Sequence, residues 1–135
     1  MTLFSCTNQF NLPVSSIPYS IGDTDVRPWG NWVVLDIAPY LVVKKLTVEP
    51  GKRISLQKHN SRSERWIAMD GVASVLCGEE VLLLHPGEGV LIPKNCMHRL
   101  SNEGECPISI LEIQYGEKLS EDDIERFDDD YGRID

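Results

Sequence analysis

Four side chains able to bind a metal ion fall in two neighbouring parts of this sequence: Gln57, His59, Glu64 and His98. Side chains alternate along a β-strand, so Gln57 and His59 point to one face, and Glu64 can face back toward them after a turn. One carboxylate, two imidazoles and one amide oxygen suit Zn, Fe, Mn, Co or Ni better than metals that require thiolates. The pattern therefore predicts a divalent metal site, with His98 joining the other three if the two parts lie side by side.

Short apolar runs, separated by turn residues, must position these side chains. Pro50–Gly51, Asp70–Gly71 and Pro86–Gly87 are examples of the turn signals. Many short strands at close spacing predict an all-β sandwich or barrel rather than alternating strands and helices. The predicted strands are Asn31–Ile37, Tyr40–Val48, Arg53–Leu56, Trp66–Leu76, Glu80–Leu84, Gly89–Ile92, His98–Asn102 and Ile108–Gln114.

Both ends of the chain differ from this β-rich centre. Residues 1–26 are rich in Ser, Pro and Asn and lack periodicity, which predicts an N-terminal arm with one short edge strand at most. After the last strand, Ser120 is followed by three acidic residues, a pattern typical of a helix N-terminus. The sequence therefore predicts a short C-terminal helix running through Ile124 and Phe127.

The composition excludes some classes of partner. Thirteen basic and twenty-one acidic residues give a net charge of −8, which argues against nucleic acid or an anionic membrane as the main partner. A small anionic substrate remains possible, because a few local cations can outweigh the global charge. The start of the chain has no basic, apolar leader pattern, and we expect a soluble, cytoplasmic protein. Its four cysteines, at 6, 77, 96 and 106, show no CxxC spacing and are expected to be reduced.

The two metal-binding parts resemble the paired motifs of the cupin superfamily. They read Gly51-x5-Gln57-x-His59-x4-Glu64-x6-Gly71 and Gly87-x5-Pro93-x-Asn95-x2-His98-x3-Asn102. Most cupins have His at the position of Gln57. Asn95 replaces a glycine, and Asn tolerates the positive φ that such a turn needs.

Wider stretches are similar to a narrower family, the cupin domain of type II mannose-6-phosphate isomerases, often fused to a mannose-1-phosphate guanylyltransferase. These stretches are RPWGNWVVL (27–35), VVKKLTVEPGKRISLQKH (42–59), RSERW (62–66), IPKNCMHRLSNEG (92–104) and ILEIQYGEKLSEDDIERFDDDYGR (110–133). The resemblance implies a cupin double-stranded β-helix, or jelly-roll barrel, over residues 27–135. No counterpart of the guanylyltransferase is present, so we expect no GDP-mannose synthesis by this chain.

Four positions differ from the family pattern. Arg65 stands where the family usually has His, and Lys45 where it usually has Arg. Asn60 and Ser61 replace histidines that usually follow the first ligand His. A contact between any of these side chains and a substrate would change specificity.

The family activity is the interconversion of mannose 6-phosphate and fructose 6-phosphate, which needs a metal or other electrophile, a base and cations for the phosphate. Glu112 is the candidate base. Glu112 and Gln114 share one strand face, which either lines a polar cavity or meets solvent. Lys44 matches the family's strand lysine and could polarise a substrate oxygen. Arg126 and Arg133 match the family's C-terminal motif and are the preferred phosphate ligands, the alternative being simple ion pairs with the acidic residues of Asp122–Asp130. Further basic candidates are Arg27, Arg53 and Arg62.

Two other functions are compatible with the same residues. One is a non-catalytic, regulatory cupin that binds a metal and a sugar. The other is a metal-dependent oxygenase, which Gln57 and the C-terminal arginines disfavour. Small cupins commonly pair through sheet edges and apolar faces, so we also expect a homodimer.

Overall fold

The computed structural model describes residues 17–133, which form eleven β-strands and no helix. The strands are β1 (Thr24–Arg27), β2 (Gly30–Ala38), β3 (Leu41–Val48), β4 (Leu56–Lys58), β5 (Arg62–Asp70), β6 (Ala73–Cys77), β7 (Glu80–Leu84), β8 (Gly89–Ile92), β9 (His98–Ser101), β10 (Ile108–Gly116) and β11 (Glu125–Asp128). One sheet has the order β1-β2-β3-β10-β5-β8 and the other β11-β4-β9-β6-β7. Neighbouring strands are antiparallel throughout the described residues. The predicted all-β fold is confirmed.

Alternation along the central strands creates the core and the site together. In β5 the buried side chains are Arg62, Glu64, Trp66 and Ala68, while Arg65 between them is exposed. In β10, Ile110, Glu112 and Gln114 are buried on one face. Trp66 and Ile110 are fully buried and belong to the hydrophobic core. The same period of two thus places aliphatic side chains in the core and polar ones beside it.

Glycine is required where β2 passes close to β3. Gly30 has φ of 153°, and a Cβ there would collide with the backbone carbonyl of Thr47. We therefore expect Gly30→Ala to lower the free energy of unfolding by about 3 kcal/mol, measured by urea denaturation. Gly104→Ala is the matched control, because the nearest atom to a Cβ there is a side-chain oxygen 3.4 Å away. If both variants lost the same free energy of unfolding, a collision at Gly30 would not be the cause.

The predicted C-terminal helix is wrong. Ser120 does accept a hydrogen bond from Asp122, and the Asp123 amide donates to the Ser120 carbonyl at 3.1 Å, but these bonds close a single turn. The chain then continues as β11, which pairs with β4. Asp123 is held away from a helix because its carboxylate accepts the backbone N–H groups of Asn60 and Ser61.

Two predicted strands also differ from the structure. Arg53–Leu56 is not a strand; Arg53 forms an isolated bridge with Ser101, and β4 begins only at Leu56. Trp66–Leu76 is interrupted at Gly71, where a φ of 69° separates β5 from β6. In the second case a turn residue, Gly71, overrides the apolar run.

The predicted N-terminal arm can be compared with the structure only from residue 17 onward, because residues 1–16, including Cys6, lie outside the described residues. In the described remainder, β1 pairs with β2 at the sheet edge, and Tyr19 is buried against Trp32. The boundary between an arm and a domain at residue 27 stays a prediction. Within residues 17–133 there is no helix of the length and apolarity needed to cross a membrane.

Candidate metal centre and active site

Three of the four predicted ligands meet in the interior. His59 follows β4, Glu64 lies on β5 and His98 begins β9; one ligand atom from each lies within 4.8 Å of the others. Glu64 Oε2 is 3.4 Å from His59 Nε2, and Glu64 Oε1 is 3.6 Å from His98 Nε2. All three residues are buried. The predicted turn before Glu64 therefore does bring the carboxylate back to the imidazoles.

Backbone carbonyls fix the tautomers of both imidazoles. His59 Nδ1 lies 2.7 Å from the Asp123 carbonyl, and His98 Nδ1 lies 2.9 Å from the Cys96 carbonyl. Because a carbonyl only accepts hydrogen bonds, each Nδ1 carries a hydrogen and each Nε2 presents a lone pair to Glu64. Such outer hydrogen bonds are typical of histidines that bind metals.

The positions of the inner atoms fit a cation. Among the described residues, Glu64 Oε1 and His98 Nε2 are both buried and have no hydrogen-bond partner. A carboxylate oxygen and an imidazole lone pair are both acceptors, so their mutual approach is unfavourable without a positive charge between them. Burial, helped by Arg62 and His98, lowers the pKa of His59 to about 4, so this ring is neutral at pH 7. A buried carboxylate and the two Nε2 atoms that face it form a suitable donor set for a divalent metal ion.

Gln57, the fourth predicted ligand, faces the same space. It lies directly opposite His98 in the β4–β9 pair and lines the cavity described below. Its Oε1 is 3.3 Å from the Ser55 hydroxyl, which can donate to it. Its role as a ligand stays a prediction.

The turn that contains Asn95 supports the cluster. Asn95 has φ of 63°, as predicted for a residue replacing glycine, and its N–H donates to the His59 carbonyl at 2.8 Å. This turn therefore joins the segment that carries His59 to the one that carries His98.

Arg62 is the dominant charge beside the cluster. Its Nε donates to Glu64 Oε2 at 2.9 Å, and its Nη2 lies 3.4 Å from His59 Nε2. Burial alone would raise the pKa of Glu64, but Arg62 and the two histidines hold it well below its usual range. Glu64 is therefore an anion at neutral pH, as a ligand must be.

An open cleft with a cavity volume of about 100 Å³ leads to the cluster. Gln57, His59 and Glu64 form part of its wall, while the fully buried His98 lies behind them. The predicted catalytic and phosphate-binding residues also line it: Lys44, Glu112, Arg126 and Arg133. The structure thus brings all the sequence-predicted site residues to one cavity and its floor.

Lys44 is held between two aromatic rings. Its Nζ lies 4.1 Å from the ring centroid of Tyr19 and 4.2 Å from that of Trp32. Burial lowers the pKa of Lys44, and the nearby negative charge of Glu112 only partly opposes this shift. The two cation–π contacts also favour the charged amine. The amine is therefore fixed in place in the cavity wall.

Glu112 is buried on the cavity side of β10, so the cavity alternative predicted for this strand face is confirmed. Its Oε2 accepts a hydrogen bond from Trp66 Nε1 at 3.1 Å, and its Oε1 accepts one from Gln114 Nε2 at 2.6 Å. Burial, followed by the nearby negative charge of Glu64, raises the pKa of Glu112. A raised pKa makes a carboxylate a stronger base, as a general base requires.

The two C-terminal arginines lie on the opposite wall. Arg126 belongs to β11 and faces Gln57 in the β4–β11 pair. Arg133 donates from Nε and Nη2 to the Asp129 carboxylate at 2.8 and 2.9 Å. This bidentate ion pair occupies two N–H donors of Arg133, as the ion-pair alternative predicted, while the residue still lines the cavity.

The structure gives two residues, Arg62 and Tyr19, contacts in the site that the sequence does not indicate. Arg62 was one of several phosphate candidates, but it contacts the ligands themselves; its position two residues before Glu64 on the same strand was the available signal. Tyr19 lies in the aperiodic N-terminal stretch, where no pattern indicates its contact with Lys44.

The positions that depart from the family pattern point away from the cavity. Arg65 is exposed on the outer face of β5, and Lys45 alternates with the buried Lys44 on β3. Asn60 and Ser61 use their backbone N–H groups to hold Asp123. None of these four is among the residues that line the cavity.

Comparison with known proteins agrees with this architecture. The cupin 2 domain-containing protein from Halorhodospira halophila has a TM-score of 0.59 at 26% identity, covering 67% of this chain and 61% of that one. KdgF from Halomonas sp. has a TM-score of 0.65 at 18% identity, covering 70% of this chain and 86% of that one. The predicted cupin fold is confirmed.

Sequence relatives are more specific. The xanthan biosynthesis protein XanB of Xanthomonas campestris and the alginate biosynthesis protein AlgA of Pseudomonas putida are each 48% identical over 107 residues, 79% of this chain. The mannose-1-phosphate guanylyltransferase ManC of Salmonella typhimurium is 41% identical over 108 residues, 80% of this chain. The chain spans 23%, 22% and 22% of the lengths of these three proteins. A family model described as mannose-6-phosphate isomerase C-terminal matches residues 19–129, and the chain therefore belongs to that family.

Proposed function

We propose that this chain is a metal-dependent sugar-phosphate isomerase that interconverts mannose 6-phosphate and fructose 6-phosphate. The observation that carries the proposal is the buried cluster of His59, Glu64 and His98 at the floor of a cavity that also presents Glu112 and Lys44. Membership of the mannose-6-phosphate isomerase C-terminal family supports this substrate pair.

Different residues have different roles in the isomerisation. A divalent ion (Zn, Mn, Co, Ni or Fe) bound by His59, Glu64 and His98, with Gln57 as the fourth ligand, would stabilise negative charge on the substrate's C1 and C2 oxygens. Lys44, fixed between its two rings, donates a hydrogen bond to one of these oxygens. Both contacts favour the enediolate-like charge distribution of the reaction.

Glu112 moves the proton. In the aldose-to-ketose direction it takes the proton from C2 and returns it to C1, and the reverse reaction uses the same carboxylate. Its raised pKa suits this transfer, because burial and the charge of Glu64 make the carboxylate a stronger base than an ordinary Glu. Its enclosure between Trp66 and Gln114 fixes the carboxylate plane.

Arg126 and Arg133 bind the phosphate on the opposite wall. A guanidinium presents paired donors that match phosphate oxygens. Arg133 would bind the phosphate while it is also paired with the Asp129 carboxylate.

A coupled assay tests the proposal directly. The purified chain is incubated with mannose 6-phosphate in the presence of Co, Mn, Zn or Ni, and fructose 6-phosphate is measured. Turnover that depends on the added metal is the expected result. Lack of turnover with every metal, on this and other aldose phosphates, would contradict the proposal.

A second candidate is a non-catalytic cupin that binds a metal and a sugar. The contacts of Arg62 favour it, because this guanidinium already bonds Glu64 and approaches His59 Nε2. Calorimetry distinguishes the two functions: phosphosugar binding without turnover would favour the non-catalytic one.

Arg65 is the most conspicuous departure from the family pattern. Because its side chain is exposed, we predict that replacing it has little effect on activity. We expect Arg65→His to change kcat/KM for mannose 6-phosphate less than about two-fold, since exposed positions away from the site have small effects. Arg62→His is the comparison, because Arg62 occupies the inner face of the same strand. A large loss in the Arg65 variant would mean that the outer face of β5 takes part in the reaction.

A further inference from the structure

Cys77 and Cys96 form a close thiol pair on the five-stranded sheet. Their sulfurs are 3.6 Å apart, although the residues are nineteen positions apart in sequence. Cys77 ends β6, Cys96 lies just before β9, and both are partly exposed. A small oxidant can therefore reach them.

The backbones on either side are already fixed together. Cys77 lies opposite His98 in the β6–β9 ladder, and the Gly78 N–H donates to the Met97 carbonyl at 2.8 Å. A disulfide bond is about 2.05 Å long, so the sulfurs must approach by about 1.5 Å. Rotation of the two side chains, with a shift of the turn, would have to cover this distance.

The segment that carries Cys96 also orients both imidazoles of the metal centre. The Cys96 carbonyl accepts the hydrogen of His98 Nδ1 at 2.9 Å, and the Asn95 N–H donates to the His59 carbonyl at 2.8 Å. A bond from Cys96 to β6 would therefore restrain the carbonyl that fixes the His98 tautomer and the turn that anchors His59.

We propose that Cys77 and Cys96 are a redox modification site: a peroxide converts them to a disulfide that restrains the segment orienting His59 and His98. One thiol reduces hydrogen peroxide to water and becomes a sulfenic acid. The second thiol attacks that sulfur and releases a second water. Overall, two thiols and one hydrogen peroxide give one disulfide and two waters. The reaction is independent of isomerase activity.

The test uses a Cys6→Ser/Cys106→Ser background, in which the pair provides the two remaining thiols. After stoichiometric hydrogen peroxide in the presence of a chelator, we expect loss of both thiols and a tryptic peptide joining Cys77 to Cys96 in monomeric chains. The thermal midpoint should rise by about 10 °C and return after dithiothreitol, because the bond closes a loop of the unfolded chain. Cys77→Ser in the same background should show neither change.

Hydrogen exchange tests the link to the metal centre. The Asn95 amide should exchange about ten-fold more slowly in the oxidised protein, since local opening of this turn becomes rarer. Sulfinic acid on Cys96 without a cross-link, a disulfide between chains, or an unchanged midpoint would overturn the modification site. An oxidised protein with unchanged Asn95 exchange would overturn the restraint on the histidine segment.

Discussion

Glu64→Gln is expected to abolish metal binding and, with it, isomerase turnover. Glu64 presents one oxygen to His59 Nε2 and the other to His98 Nε2, at 3.4 and 3.6 Å. The substitution removes the negative charge and places an amide N–H₂ group against one of the imidazole lone pairs. Loss of an outer hydrogen bond to a ligand already costs roughly 10- to 100-fold in metal affinity, so loss of this ligand should exceed about 100-fold.

The same substitution should also destabilise the fold. Arg62 would keep its buried charge while losing the carboxylate that accepts its Nε–H at 2.9 Å. Removing one partner of a buried ion pair costs about 3 kcal/mol or more, so the thermal midpoint should fall even without metal. Metal content by mass spectrometry and unfolding with a chelator measure the two effects separately.

A matched substitution controls for the loss of one carboxylate. Glu88→Gln removes an exposed carboxylate that accepts from His85, and it should leave metal content and unfolding unchanged. A Glu64→Gln protein that retains a full complement of metal would show that the cluster of His59, Glu64 and His98 is not the metal site.

The meeting of His59 and Glu64 could be predicted because the two residues are close in sequence. Gln57 and His59 lie two residues apart, and the turn before Glu64 is short enough that the carboxylate must return to the same side. Glu112 and Gln114 could be placed on a polar face by the same alternation, since Leu111 and Ile113 occupy the other face. In each case the alternation of side chains along a strand, together with one turn, determines which face of the sheet a side chain lies on.

The segment around Asp123 could not be predicted from local signals. Its sequence favours a helix, yet the Asp123 carbonyl accepts the hydrogen of His59 Nδ1 and its carboxylate holds the backbone of Asn60 and Ser61. These contacts span about sixty residues of sequence and override the helix signal. Local rules tend to fail where a segment supports a functional site, and this segment fixes the tautomer of His59, a predicted metal ligand.

The contact of Tyr19 with Lys44 is beyond sequence reasoning for a different reason. Lys44 sits on a strand with clear alternation, so its burial is predictable, but nothing in that strand indicates what neutralises the cost of burying an amine. The answer is two aromatic rings, one of them from the aperiodic stretch before β1. Pairings of this kind depend on how distant segments pack.

Glu112→Gln should separate chemistry from metal binding. If Glu112 carries the proton between C1 and C2, its amide analogue lowers kcat by about 10²- to 10⁴-fold, the range typical of a lost general base. Metal content should not change, because Glu112 is not part of the cluster formed by His59, Glu64 and His98. KM for mannose 6-phosphate should change only a few-fold, since the phosphate is bound by the opposite wall.

We expect the Glu112→Gln protein to fold normally, so that a loss of activity reports on the chemistry and not on unfolding. The new amide oxygen can accept from Trp66 Nε1 as the carboxylate does. The new N–H₂ group would face the Gln114 amide, whose Oε1 is buried without a partner and can accept from it once that amide flips. The variant therefore replaces one set of hydrogen bonds with another and mainly removes the charge.

Isotope exchange provides the decisive readout. In D₂O the unmodified protein should incorporate deuterium into the sugar while the base is protonated by solvent, and Glu112→Gln should lose this exchange in parallel with kcat. Glu80→Gln, an exposed residue on β7, is the matched control and should keep both. If Glu112→Gln keeps kcat within about three-fold, Glu112 serves to hold Trp66 and Gln114 in place, and the proton passes through another group on the cavity wall.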